Sequence, residues 1–173
     1  RTGTHSFYRS QVILRTPNAK YHLTSVERMG ASPTPMAFGE LYAAMEQKVV
    51  DGQENPLSNI HAAAFYEVND HLALTGHQHL THMVMYSEGL WKGLSPEHQV
   101  IIKQAVLDSQ QVQRDKVAAD DASLLSVLED KGMQVTRPDR VALAAKVAPL
   151  REQAIEEFGE QSAKWIKLID DVR

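Results

Sequence analysis

The 173-residue chain is 43% hydrophobic and 23% charged, a composition typical of a globular protein with an apolar core. Its formal net charge of -4 provides no basic surface that would attract a phosphate backbone, so no nucleic-acid partner is expected. The absence of cysteine excludes disulfides and thiolate metal sites, and no run approaches the roughly 20 apolar residues of a membrane helix.

The first third of the chain repeats one short unit three times: an extended stretch, a loop with Pro or Gly, and a helix. The extended stretches are predicted at residues 12–14, 31–36 and 49–52, and the helices at about 20–29, 39–48 and 55–65. Gly30 is expected to end the first helix, and Asn55 to cap the third helix with Pro56 at its first position. Such alternation predicts an α/β fold with a mainly parallel sheet.

The rest of the chain is expected to be mostly helical. Further strands are predicted at residues 71–75, 82–86 and 133–136. Ser95, Pro96 and Glu97 form a strong helix start, and neither Gly nor Pro follows until Gly132, which predicts one helix of about 50 Å. A break near residues 120–121 is the alternative. Two amphipathic helices are expected at about 141–158, interrupted near Pro149, and at 161–172.

Three residues that follow predicted strands are candidates for a ligand site, because ligands of open α/β sheets bind at the carboxyl ends of the strands. Arg15 has a planar fork of donors that suits a carboxylate. Phe38 would supply an apolar wall and Asn55 a second polar contact. The simpler alternatives are a solvated arginine, a core phenylalanine and an asparagine that only caps a helix.

A cluster of histidines suggests a competing site. His77, His79 and His82 form an H-x-H-x-x-H run, and imidazoles are common zinc ligands. A histidine-based metal-dependent hydrolase is therefore the alternative function. On one strand, however, His82 would face away from the other two, so a turn is needed to bring all three to one metal.

Several motifs closely resemble the solute-binding proteins of tripartite ATP-independent periplasmic (TRAP) transporters. The longest are L-R-T-P-N-A at residues 14–19, G-A-S-P-T-P-M-A-F-G-E-L-Y at 30–42 and V-V-D-G-Q-E-N-P at 49–56. The likeness continues through F-Y-E-V at 65–68, L-S-P-E at 94–97 and G-M-Q-V-T-R-P-D at 132–139. The resemblance thus extends over nearly all of the chain from Leu14 onward.

The resemblance implies a periplasmic receptor that is not an enzyme, needs no cofactor, and delivers a small organic or sugar acid to TRAP membrane subunits. In that family the matching arginine holds the ligand carboxylate, which here falls on Arg15. The matching aromatic and asparagine are Phe38 and Asn55. The ligand is expected to be a sugar acid such as sialic acid, or a dicarboxylate.

The resemblance also implies two lobes that close on the ligand, joined by a long lobe-spanning helix. The chain is expected to be a truncated form in which the first lobe is absent. Residues 1–80 and 121–173 would then form the second ligand-binding lobe, and residues 81–120 would cross into the first. Apolar surface left uncovered by the first lobe predicts self-association, most simply as a homodimer.

Overall fold

The computed structural model describes residues 12–171. Within this range lie five strands: β1 Ile13–Thr16, β2 Ser32–Pro35, β3 Gly52–Gln53, β4 His71–Ala73 and β5 Gln134–Thr136. The α-helices are α1 Lys20–Met29, α2 Leu41–Glu46, α3 Leu57–Ala62, α4 Glu88–Lys92, α5 Pro96–Asp130, α6 Arg140–Val147, α7 Pro149–Phe158 and α8 Glu160–Asp171. Two short 3₁₀ helices, Phe38–Glu40 and Phe65–Glu67, complete the set.

The strands form two parallel sheets. In the first, β1 lies between β2 and β3, and in the second β4 pairs with β5. The edge position of β2 accommodates Pro33 and Pro35, since proline has no backbone N–H to donate to a neighbouring strand. The parallel arrangement predicted from the strand and helix alternation is therefore confirmed, although the strands are divided between two sheets.

The first predicted unit matches the structure closely. Helix α1 covers the predicted residues, and Gly30 ends it in the left-handed conformation, with φ of 104°. Its backbone N–H donates to the carbonyls of Val26 and Glu27. Glycine adopts this conformation without the penalty that a Cβ brings. The position of Gly30 therefore predicted the end of this helix for a physical reason.

The predicted cap of the third helix is wrong. Helix α3 begins at Leu57, so Pro56 is the capping residue and Asn55 precedes it. No side chain caps this helix, because the Asn55 amide is hydrogen-bonded to Gln53 and Asn59 instead. The helix also stops at Ala62 rather than 65, and a 3₁₀ turn follows it.

Two expectations for the second half of the chain have opposite outcomes. Residues 82–86 form no strand, because an isolated extended segment is not stable without a neighbouring strand, and none of the strands within residues 12–171 pairs with it. Helix α5 is continuous over 35 residues, so the alternative of a break at 120–121 is wrong. Ser95 caps it by accepting a hydrogen bond from the His98 N–H.

The core lies between the strands, α2, α3 and the carboxyl end of α5. Leu41, Met45, Phe65 and Leu128 are each no more than 2% exposed and belong to one apolar cluster. Leu128 is the buried residue of α5, so this helix is anchored near one end. Among residues 12–171, no helix combines the length and apolar character needed to cross a membrane.

Helix α1 is joined to α7 by a surface cluster. The Glu157 carboxylate pairs with the Lys20 ammonium and accepts a hydrogen bond from the Tyr21 hydroxyl at 2.9 Å. The hydrogen bonds from Lys20 and then Tyr21 hold the pKa of Glu157 below its usual range. The Tyr21 and Phe158 rings lie 6.1 Å apart beside them, so polar and apolar contacts fix the same helix pair.

Candidate functional site

Arg15 is a buried cation within β1. The strand continues to Thr16, so Arg15 does not follow the strand as expected but lies inside it, next to Gln53 of β3. Its side chain is 5% exposed, and its Nε and Nη2 donate to the Met36 carbonyl at 2.9 and 2.6 Å. Burial lowers the pKa of the guanidinium, and the nearby charge of Glu54 opposes that shift.

The guanidinium of Arg15 retains capacity for a ligand. It carries five N–H groups, and the Met36 carbonyl occupies one on each of two nitrogens. Within residues 12–171, its other N–H groups have no acceptor. A carboxylate that accepted from Nη1 and Nη2 together would form two parallel hydrogen bonds, so the predicted role of Arg15 is compatible with this geometry.

Phe38 lies beside Arg15, as the sequence predicts for residues of one site. The Arg15 Cζ atom is 6.0 Å from the centroid of the Phe38 ring, within the range of a cation–π contact. The ring is 46% exposed and contacts the buried Phe65 ring at 5.6 Å between centroids. Phe38 therefore has one face supported by the core and the rest accessible.

Asn55 lies with different neighbours from the other two candidates. Its Nδ2 donates to Gln53 Oε1 at 2.5 Å, and its Oδ1 accepts from Asn59 Nδ2 at 3.1 Å. These bonds fix the plane of the amide. One Nδ2 hydrogen remains outside both of them, and Asn55 lines a cleft whose lining does not include Arg15 or Phe38.

The cleft has a volume of about 310 Å³, within the size range of small-molecule sites. It lies between the two sheets, along β3 and β4 and at both ends of β5. Its floor is apolar and includes Leu72 and Phe65. Its polar lining consists of Asp51, Gln53, Glu54, Asn55, Asn69, His71, Thr75, His77 and Thr136.

A second polar group in this cleft was missed by the reasoning from strand ends. The His77 Nε2 lies 3.6 Å from Glu54 Oε2, and both side chains are no more than 20% exposed. The His77 Nδ1 lies 2.6 Å from the Thr75 hydroxyl. A signal was present in the sequence, since Glu54 adjoins Asn55 and His77 closely follows a strand. The sequence instead placed His77 with His79 and His82 in a candidate metal site.

The structure does not support the alternative metal site. The two ring nitrogens of His77 face Thr75 and Glu54, and His79 and His82 lie on the irregular connection that follows. Across residues 12–171, no group of three or more His, Asp or Glu side chains could hold a metal ion. The spacing that suggested zinc therefore reflects a loop sequence.

Comparisons with known proteins agree with a ligand-binding lobe. The model of bacterial extracellular solute-binding protein, family 7 (DctP) matches residues 11–157. The chain is 40% identical over 147 residues to the sialic acid-binding periplasmic protein SiaP of Vibrio cholerae, covering 85% of this chain and 46% of that protein. It is 30% identical to the 2,3-diketo-L-gulonate-binding periplasmic protein YiaO of Escherichia coli, covering 92% of this chain and 49% of that protein.

A solved structure gives the same result. A TRAP periplasmic solute-binding protein of Roseobacter denitrificans with bound 3-deoxy-D-manno-oct-2-ulosonic acid superposes with a TM-score of 0.72 at 39% identity, covering 81% of this chain and 46% of that one. The fold is that of a TRAP solute-binding protein lobe, and the chain belongs to the family 7 solute-binding proteins. It spans about half the length of the curated relatives it matches.

Proposed function

We propose that this chain is the carboxylate-binding lobe of a periplasmic TRAP receptor that captures a sugar acid and passes it to the membrane subunits. The observation that carries the proposal is the buried Arg15 guanidinium, which faces no ion-pairing carboxylate at hydrogen-bonding distance within residues 12–171. A buried charge is costly unless a counter-charge compensates it. A ligand carboxylate would supply that charge.

The cleft favours a sugar acid over a four-carbon dicarboxylate. Gln53 pairs with Arg15 across the sheet, and the cleft that it lines also contains neutral or amphoteric groups, including Asn55, Thr75 and His77, which can donate to or accept from hydroxyl groups. A second carboxylate would meet the Glu54 side chain there, and like charges repel. The names of all three proteins compared above specify an acid with several hydroxyl or keto groups.

Residues 1–80 and 121–173 would form the ligand-binding lobe, and residues 81–120 would form a segment that crosses to the other lobe. Binding would occur without chemical change to the ligand. Thr75, His77 and Glu54 follow one another in the cleft, but the 3.6 Å between His77 Nε2 and Glu54 Oε2 is too long for the hydrogen bond that orients the base in nucleophilic catalysis.

The test is calorimetry on a fused receptor, in which this chain is joined to the amino-terminal half of the Vibrio cholerae relative. Sialic acid, 3-deoxy-D-manno-oct-2-ulosonic acid and succinate are titrated in turn. We expect one sugar acid to bind at one-to-one stoichiometry and to be recovered unchanged by mass spectrometry. Tighter binding of succinate would contradict the ligand class, and recovery of a modified acid would contradict a binding-only function.

We also propose that the 173-residue chain alone self-associates, most simply as a homodimer. Met83, Met85 and Leu90 are 79%, 82% and 68% exposed, and Ile101 of α5 is 56% exposed. Exposed apolar side chains that form a contiguous patch usually become an interface. Exchange of residues 81–120 between copies, or strand pairing of residues 82–86 between copies, would cover these side chains.

Light scattering at micromolar concentration tests this second proposal. We expect a mass near twice 19.3 kDa, and a shift toward the monomer when Met83 and Met85 are both replaced by Glu, because charge at an apolar interface opposes association. The exposed Glu88, changed to Gln, serves as the control. A compact monomer for the unsubstituted chain would overturn self-association.

A further inference from the structure

The turn that carries His77 is covered by an arginine from a distant part of the sequence. Gly76 has a φ of 55°, a conformation that favours glycine. A Cβ placed on Gly76 would lie 2.1 Å from Nη2 and 2.5 Å from Cζ of Arg140. The guanidinium of Arg140 therefore packs against the bare face of this glycine, where no side chain would fit.

Arg140 is itself held in place by the start of helix α6. Asp139 caps that helix, and its Oδ1 accepts from the N–H groups of Val141 and Ala142 at 2.9 and 3.0 Å. Arg140 is thus the first residue of a capped helix, and the backbone from which its side chain extends is fixed. The connection between β5 and α6 thereby reaches the turn after β4.

The same turn is contacted from two further elements. Gln78 Nε2 lies 2.7 Å from Nε2 of His22 on α1, and His77 faces Glu54 at 3.6 Å from the loop after β3. Residues 75–78 are therefore held by contacts from α1, α6 and the β3 loop. Such convergence is notable because the chain that follows, residues 79–86, has no regular structure.

We propose that Arg140 is a positioning residue that fixes the turn at Gly76 and so directs the His77 imidazole into the cleft. This inference rests on the proposed function for its role in ligand binding. Arg140 does not line the cleft, so it acts through the turn. A bare glycine face explains why the guanidinium can approach so closely, and the approach leaves the turn little room to rotate.

The experiment is NMR of the histidine side chains in the ligand-free 173-residue chain. Arg140→Ala is expected to shift the His77 imidazole signals and leave those of His98, on α5, in place. Arg137→Ala is the matched control, since Arg137 is an exposed arginine on the same connection. Unchanged His77 signals in Arg140→Ala would overturn the proposal, and an equal shift in the control would do the same.

A second variant separates positioning from a general structural effect. Gly76→Ala should perturb His77 through collision with Arg140 as well as through backbone strain. Its effect on the His77 signals should therefore be smaller when Arg140 is already alanine, since the collision is then relieved. An equal effect in both backgrounds would show that the Arg140 contact does not fix the turn.

Titration of sialic acid into the fused receptor with the same substitutions tests the consequence for binding. Its dissociation constant should rise roughly 3- to 10-fold in Arg140→Ala, as for residues coupled through a shared contact, and stay constant in Arg137→Ala. Equal affinities would overturn the role in binding. If the unsubstituted fused receptor does not bind sialic acid, the ligand assignment fails, while the His77 signals of the 173-residue chain still decide the structural claim.

Discussion

Arg15→Ala should reduce the affinity of the fused receptor for its sugar acid by roughly 10- to 150-fold. A hydrogen bond to a charged group contributes about 1.5 to 3 kcal/mol, and each 1.4 kcal/mol is a factor of ten in affinity. The desolvated position of Arg15 places it toward the upper end, because the surroundings supply little water to replace the lost donors. Calorimetry with sialic acid measures the change.

Two further variants make this result specific. Arg15→Lys keeps the charge but loses the planar fork, so it should recover only part of the affinity. Arg114→Ala removes an exposed arginine from α5 and should leave the affinity unchanged. Because Arg15 also binds the Met36 carbonyl, circular dichroism must first show that each variant is folded. A folded Arg15→Ala variant with unchanged affinity would contradict the assignment.

Leu128→Ala should lower the free energy of unfolding by about 2 to 5 kcal/mol, the range measured for large-to-small changes in close-packed cores. Leu128 is fully buried in the cluster that contains Ile60 and Met133, and alanine would leave a cavity there. Since domains are typically stable by only 5 to 15 kcal/mol, the loss is a large fraction of the total. Urea denaturation followed by circular dichroism measures it.

The matched control lies on the same helix. Leu107 of α5 is 57% exposed, so Leu107→Ala keeps the helical propensity and removes little buried surface. Its effect should stay within about 0.5 kcal/mol, as for surface substitutions generally. Similar losses for the two variants would mean that α5 is not anchored through Leu128, because burial alone distinguishes these two leucines.

Local signals in the sequence were the most reliable guide to the fold. Gly30 ended α1, Ser95 with Pro96 began α5, and Pro149 divided the helices that became α6 and α7. Each of these signals depends on the conformational limits of one or two residues. Such limits apply whatever the rest of the chain does.

Expectations that depended on a distant partner were less reliable. Residues 82–86 were predicted to form a strand, but no described strand lies beside them, and pairing cannot be read from one segment. The amide of Asn55 had two possible partners, a helix N–H and the side chains of Gln53 and Asn59. The structure shows the second.

In the candidate site too, contacts between neighbouring strands were easier to predict than contacts between distant parts of the chain. Arg15 and Phe38 lie together because Arg15 is on β1 and Phe38 closely follows β2, the strand that pairs with β1. The approach of His77 to Glu54 requires the arrangement of two sheets, and sequence spacing cannot supply that. The resemblance to a known family pointed to Arg15, Phe38 and Asn55, and their role in binding remains a prediction.

The length of α5 gives it a mechanical property. At 1.5 Å per residue, its 35 residues form a rod of about 52 Å that is seated at Leu128 and bare along most of its length. A tilt of about 5° at the seat would displace the far end by about 4 to 5 Å. A small rearrangement of the residues around Leu128 would therefore become a larger displacement of any group attached near Pro96.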